Sequence, residues 1–219
     1  LLNCDLKTLY PLARSMNRKL EFYVGPTNSG KTYNAMKKLK EANSGLYLAP
    51  LRLLALEGYE DLKESNIEAS LITGEEQQLS EDAAHICSTI EMLDFDLEVD
   101  VAVIDEVQML EDIDRGWAWV NAIIGVPAKK VIMTGSVNAL EAVKRIVQYL
   151  DEELEVVRHK RKNPLLVLQK WTPLEKLENG TALIAFSRAE VLKLKQKLQK
   201  KYSVSVIYGN LSPEVRRDE

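Results

Sequence analysis

Gly25-Pro26-Thr27-Asn28-Ser29-Gly30-Lys31-Thr32 decides the fold. The octapeptide fits the pattern GxxxxGK[ST], follows an apolar run at 20–24 and opens a stretch of helical spacing at 31–41. Its glycines let backbone N–H groups curl around a phosphate, and the helix that follows adds the positive end of its dipole. Gly25, Pro26, Thr27, Asn28, Ser29 and Gly30 are therefore expected to form a phosphate cradle. Lys31 would reach the β- and γ-phosphates of ATP, and Thr32 would offer its hydroxyl to Mg²⁺.

Outward from this loop, apolar runs of strand length alternate with amphipathic stretches of helix length. Strands are expected at 20–24, 45–49, 69–72, 84–87, 101–104 and 130–133, and helices at 31–41, 53–64, 117–124 and 138–150. Such alternation with unbroken apolar strands implies an α/β fold whose parallel sheet is covered on both faces. The run at 101–104 delivers Asp105-Glu106-Val107-Gln108 at its C-terminal end, where parallel sheets bind ligands. Asp105 is expected to hold Mg²⁺ through water and Glu106 to orient and activate the attacking water, with Gln108 completing the catalytic set of Lys31, Asp105 and Glu106.

Residues 1–18 read as a preceding helix. After Leu150 come an acidic cluster, a strand at 154–158, a basic run at 158–162 and Pro164. The lobe boundary is placed here, giving a helical segment 1–18, a first lobe 19–158 and the start of a second lobe 159–219. In that second part strands are expected at 182–186 and 204–208, a helix at 189–201, and a helix opened by Ser212-Pro213. The chain stops inside that last helix and starts without Met, so the second lobe is expected to be unfinished and the N-terminus trimmed.

Composition is permissive. Of 219 residues, 46% are apolar and 28% charged, enough for an ordinary packed core. No apolar run reaches the ~20 residues of a membrane helix. Cys4 and Cys87 form no CxxC pair, which excludes a cysteine-based zinc site, and both are expected to be reduced thiols. His85 and His159 read as structural or surface residues. The net charge of −4 lacks the basic excess of a protein held on nucleic acid by bulk electrostatics, although a narrow track of contacts needs none.

Two families combine such a loop with an Asp-Glu-x-Gln box. Thymidine kinases are one, but they usually carry a cysteine-paired zinc lobe, and the C-terminal half here has no cysteine. The other matches more of the chain, from about Phe22 to Arg216. The sequence resembles the superfamily 2 ATP-dependent RNA helicases of the mitochondrial degradosome and their bacterial relatives. The resemblance is carried by residues 25–32, 50–57, 73–76, 88–92, 105–108, 115–119, 186–188 and 208–214. It implies a RecA-like lobe followed by the start of a second, and an ATP clamp closed by an arginine of the second lobe that lies beyond this chain.

The resemblance also implies nucleic-acid contacts at Pro50, Arg52, Thr73, Gly74 and Thr89 of the first lobe and at Ser187 and Arg188 of the second. Backbone N–H and hydroxyl groups in these segments would hold phosphates without reading bases. Thr134-Gly135-Ser136 falls where such motors couple hydrolysis to lobe movement, although it departs from the commoner Ser-Ala-Thr form. The expected partner is single-stranded or partly duplex RNA, with DNA possible, and the resemblance adds an exoribonuclease partner. Compact loops and the absence of a presequence favour a bacterial cytoplasm, with the mitochondrial matrix as the alternative. Trp117 and Trp119, two apart on a helix, are expected to divide between surface and core. The lysines of the helix at 191–201 read as a solvated outer face.

Overall fold

The computed structural model describes residues 5–161 and 166–208. The chain divides into two compact units, Leu1–Pro164 and Leu165–Glu219, each taken by itself below. The expectations for Cys4, the basic residue Lys162, Pro164, and the block at 209–214 with its Ser212 helix lie outside the described residues.

The first unit is built on an eight-stranded sheet in the order β4-β3-β5-β2-β6-β7-β1-β8. Its strands are β1 (Lys19–Val24), β2 (Gly45–Ala49), β3 (Ala69–Ile72), β4 (Gln77–Gln78), β5 (His85–Thr89), β6 (Val99–Ile104), β7 (Ala128–Gly135) and β8 (Leu154–Arg158). All pairings are parallel except β3 with the short edge strand β4, which the sequence pattern did not announce. The helices are α1 (Pro11–Ser15), α2 (Lys31–Lys40), α3 (Arg52–Glu64), α4 (Gly116–Gly125) and α5 (Leu140–Tyr149).

Strand alternation sorts the core into two layers. Leu20, Phe22, Val24, Leu46, Leu48, Ala102, Ile104, Val131 and Met133 face one side, with Trp119 and Ile123 of α4 and Val143 and Val147 of α5. Tyr23, Tyr47, Ala49, Val101, Val103 and Ile132 face the other, with Ala35, Met36 and Leu39 of α2 and Ala55 and Leu62 of α3. The period-two pattern of strands buried on both faces is what makes them read as unbroken apolar runs.

Topology then positions the site. β1 lies beside β7, β7 beside β6 and β6 beside β2. The crossover from β1 to β2 must therefore carry α2 over β7 and β6. Its first residues arrive above the carboxyl end of β6, where Asp105 begins.

Two expectations fail. Residues 1–18 do not form one helix: the described part is a 3₁₀ turn, Leu6–Leu9, and then α1. Tyr10, at φ −125° and ψ 63°, breaks the path, and Pro11, which has no N–H to donate, starts the second piece. In the second unit, 182–186 and 204–208 are not strands, and among its described residues no strand is formed. An apolar run sets only a side-chain pattern; a strand exists when a neighbour bonds its backbone. The helix does form, as α6 (Arg188–Leu198), capped by the Ser187 hydroxyl, which accepts from the Glu190 N–H at 3.2 Å. No helix among the described residues is long and apolar enough to cross a membrane.

Candidate active site

The loop from Gly25 to Gly30 leaves the sheet at the end of β1, where the Gly25 N–H donates to the Gly135 carbonyl at 3.1 Å. A side chain at Gly25 would strike the His159 carbonyl oxygen, so only glycine fits between the loop and the chain leaving β8. Gly30 has φ 79°, in the left-handed region that glycine enters freely, and it begins α2 without a side-chain cap. The first N–H groups of α2 thus have no capping side chain and are available to an anion. Lys31 is 6% exposed, and its Nζ folds back over the loop to donate to the Pro26 carbonyl at 2.8 Å. A buried ammonium against a neutral carbonyl is costly until an anion joins it. The cradle fits a phosphate.

Thr32, one residue on, donates its hydroxyl to Asp105 Oδ1 at 3.0 Å. Asp105 is 2% exposed, and Thr134, at the end of β7, donates to the same oxygen. Tyr47 of β2 donates to Oδ2 at 2.9 Å. Burial first and the adjacent Asp105 second push the Tyr47 hydroxyl far above the ordinary tyrosine range, so it is held as a donor. Among the described residues no group of three or more His, Cys, Asp or Glu could hold a metal by itself. Mg²⁺ needs none: one carboxylate, a hydroxyl, water and substrate phosphates suffice. The hydroxyl and carboxylate required for that arrangement are already in contact.

Glu106 follows in a left-handed conformation, φ 53° and ψ 50°, a strain of about 1–3 kcal/mol for a non-glycine residue. Its N–H donates to Asp105 Oδ1 at 3.1 Å and to Thr134 Oγ1 at 3.3 Å, which holds the turn. Gln108 donates from Nε2 to Glu106 Oε2 and accepts from the Ser136 N–H at 3.1 Å through Oε1. Gln108 therefore ties the acidic box to the 134–136 segment. A cavity of about 520 Å³ opens beside these groups, lined in part by Thr32, Tyr33, Tyr47, Glu57, Asp105 and Glu106.

The expected strand-contacting residues fall on the same edge of the sheet but on other strands. Pro50 follows β2, Thr73 and Gly74 follow β3, and Thr89 ends β5. These three strands are neighbours, in the order β3-β5-β2. Arg52, at the start of α3, pairs with Glu75 of the neighbouring segment. The Thr73 hydroxyl accepts from the Glu76 N–H at 3.0 Å, so it shapes its own turn. In the second unit Ser187 caps α6 and the Arg188 guanidinium lies 5.2 Å from the centre of the Tyr208 ring.

Sequence reasoning missed Tyr47 and the bond from Thr134 to Asp105, because both sit inside apolar strands whose pattern reports burial alone. It divided the tryptophans correctly: Trp119 is fully buried and Trp117 is 56% exposed. It could not foresee that the Trp119 indole donates to the Asp105 carbonyl at 2.9 Å. His85 is structural, its Nε2 3.0 Å from the Leu39 carbonyl. Cys87 is buried, and burial pushes its thiol well above its usual range.

A parallel sheet with a phosphate loop after β1 and an Asp-Glu pair after β6, joined through Thr32, defines a RecA-like P-loop nucleotide-binding lobe. The model of the DEXQ-box helicase domain of Suv3 matches residues 7–159, and the chain belongs to that family. It is 42% identical over 217 residues to the mitochondrial ATP-dependent RNA helicase SUV3 of Candida albicans, covering 96% of this chain and 30% of that protein. It is 40% identical over 210 residues to the mitochondrial SUV3 homologue of Caenorhabditis elegans, covering 93% of this chain and 29% of that protein. The chain thus spans about three-tenths of the length of these relatives. Among solved structures, the Pyrococcus furiosus Hef helicase domain is 22% identical with a TM-score of 0.45, covering 70% of this chain and 37% of that one.

Proposed function

We propose that this chain carries the ATP-binding lobe of an ATP-dependent RNA helicase, in which nucleotide binding and hydrolysis drive movement along a strand. The observation that carries this reading is the contact of Thr32 with Asp105, which joins the phosphate loop to the acidic box around one buried carboxylate.

In this mechanism the loop 25–30 and Lys31 bind the triphosphate of ATP. Thr32 and Asp105 would hold Mg²⁺, which when bound would supply charge neutralisation at the phosphates. Tyr47 and Thr134 fix the Asp105 carboxylate. Glu106 orients the attacking water and takes its proton. Gln108, bonded to both Glu106 and the Ser136 N–H, passes the state of Glu106 to the 134–136 segment. In the first unit Pro50, Arg52, Thr73, Gly74 and Thr89 contact the RNA backbone, in the second unit Ser187 and Arg188 are backbone contacts of their own, and DNA could occupy the same contacts. The relatives are named as mitochondrial, which supports a mitochondrial location, the alternative, over a bacterial cytoplasm.

The test is one ATPase assay on the intact protein, supplemented first with single-stranded RNA and then with thymidine. Stimulation by RNA supports the motor. Phosphate transfer to thymidine would instead establish the nucleoside kinase, a reading with no support among the relatives found.

A further inference from the structure

We propose that Arg115 is a positioning residue that couples the strand-contacting edge of the sheet to the metal-holding carboxylate; the proposal rests on the nucleotide-and-strand reading above. Arg115 precedes α4, and its backbone N–H donates to Asp112 Oδ1 at 2.8 Å, which fixes where the side chain departs. From there the guanidinium reaches three elements. Its Nη2 donates to the Pro50 carbonyl at 2.7 Å, where β2 hands over to α3. Its Nε donates to Glu91 Oε1 at 2.7 Å, in the 3₁₀ turn Ile90–Met92 that follows Thr89. Its carbon centre lies 5.4 Å from the centre of the Trp119 ring.

Trp119 completes the path. It is fully buried, and its Nε1 donates to the Asp105 carbonyl at 2.9 Å. An indole packed on all sides cannot tilt without moving its neighbours. One side chain therefore touches two of the segments proposed to grip the strand and, through one rigid ring, the backbone of the residue proposed to hold Mg²⁺. The Arg115–Glu91 pair is partly solvent-exposed and so adds little to stability. Its effect is on where Pro50 and Glu91 stand relative to Asp105. The planar fork matters here, because it donates to a carbonyl and a carboxylate while lying over a ring, and a lysine ammonium cannot reproduce all three contacts.

Coupling of this kind is measured as a factor. In the intact protein, the dissociation constant of a non-hydrolysable ATP analogue with Mg²⁺ is read without and with saturating oligouridylate, and binding of oligouridylate is measured separately. In the parent the RNA is expected to tighten the analogue by a factor on the order of 5–150. Arg115→Gln is expected to bring that factor to within about twofold of one, while analogue affinity without RNA stays within about twofold of the parent. Arg115→Lys should recover only part of the coupling. Glu91→Gln should weaken it, and combining Glu91→Gln with Arg115→Gln should add no further loss, as expected for one shared contact.

Three results overturn the proposal. Coupling retained in Arg115→Gln removes Arg115 from the path. A loss of analogue affinity without RNA, with a lower melting temperature, makes Arg115 a structural residue. A parent that binds both ligands without coupling also overturns it, and leaves the functional reading intact. A parent that binds no oligouridylate overturns the nucleic-acid reading and this proposal together.

Discussion

At the residue scale the chemistry gathers on Asp105. Thr32, Thr134 and the Glu106 N–H converge on Oδ1, while Tyr47 holds Oδ2. Tyr47→Phe keeps the ring and deletes that donor, leaving a buried carboxylate oxygen short of a partner. The expected cost is about 1–3 kcal/mol in urea unfolding, with weaker Mg²⁺-dependent ATP binding. The pH dependence follows from the raised hydroxyl. The unfolded tyrosine ionises near its ordinary value of 10.0 and the folded one resists. The contribution is thus complete below pH 10.0 and fades as pH rises above it. Alkaline unfolding curves of the parent should therefore fall more steeply than those of Tyr47→Phe. Two further substitutions separate binding from turnover. Lys31→Ala should abolish ATP binding and leave the circular dichroism spectrum unchanged. Glu106→Gln should keep ATP binding and reduce turnover by about 10²–10⁴, the range for a lost general base. Unchanged nucleotide affinity in Lys31→Ala would mean that the loop is misread.

At the scale of elements, α4 shows how one helix serves both core and site. Trp119 fills the layer between sheet and helix, and Trp117, half a turn away, faces outward. Trp119→Ala should cost about 3–5 kcal/mol and displace the Asp105 backbone, whereas Trp117→Ala should stay within about 0.5 kcal/mol. Matched denaturation curves check both; equal losses would contradict the packing described. The same helix marks what the sequence could disclose. Strands β1, β2, β3 and β6 were legible because burial on both faces leaves an apolar run, and the phosphate loop because its glycines and lysine are fixed in spacing. The Asp-Glu box was legible because it follows such a run. Strand β4 was not, since two glutamines at an edge carry no pattern. The hydrogen bonds of Tyr47, Thr134 and Arg115 were hidden for a different reason. Their roles depend on which strands are neighbours, and the order β5-β2-β6-β7-β1 is set by crossovers over long stretches of chain. The expected strands at 182–186 and 204–208 failed because a pattern of side chains cannot supply a bonded neighbour.

At the scale of the molecule, the two units differ in how they hold themselves together. The first is tied by its sheet and by Arg18, which is 5% exposed just before β1. Arg18 donates to the Ile123 and Val126 carbonyls at the end of α4, both at 3.0 Å, and pairs with Glu152 at 2.7 Å, between α5 and β8. Removing Glu152 would leave a buried guanidinium uncompensated, a loss of about 3–5 kcal/mol. In the second unit Leu198 and Val206 are buried, while Trp171 is 99% and Phe186 98% exposed. With no strand pairing and little apolar burial among its described residues, this unit is expected to have a low local free energy of opening. The 219-residue chain should therefore unfold in two steps, residues 166–208 at lower denaturant than the sheet, and hydrogen exchange should be fast in the former and slow in β1, β6 and β7. Nucleotide separates the steps further. ATP with Mg²⁺ at one hundred times its dissociation constant should add about 2.7 kcal/mol to the unfolding of the unit that binds it. Because the phosphate loop, Asp105 and Glu106 all belong to the first unit, only the sheet transition should move, followed by Trp119 fluorescence in a Trp171→Phe, Trp117→Phe background, while hydrogen exchange of residues 166–208 follows the weaker transition. Movement of the weaker transition alone would place the nucleotide elsewhere and undo the assignment of the loop.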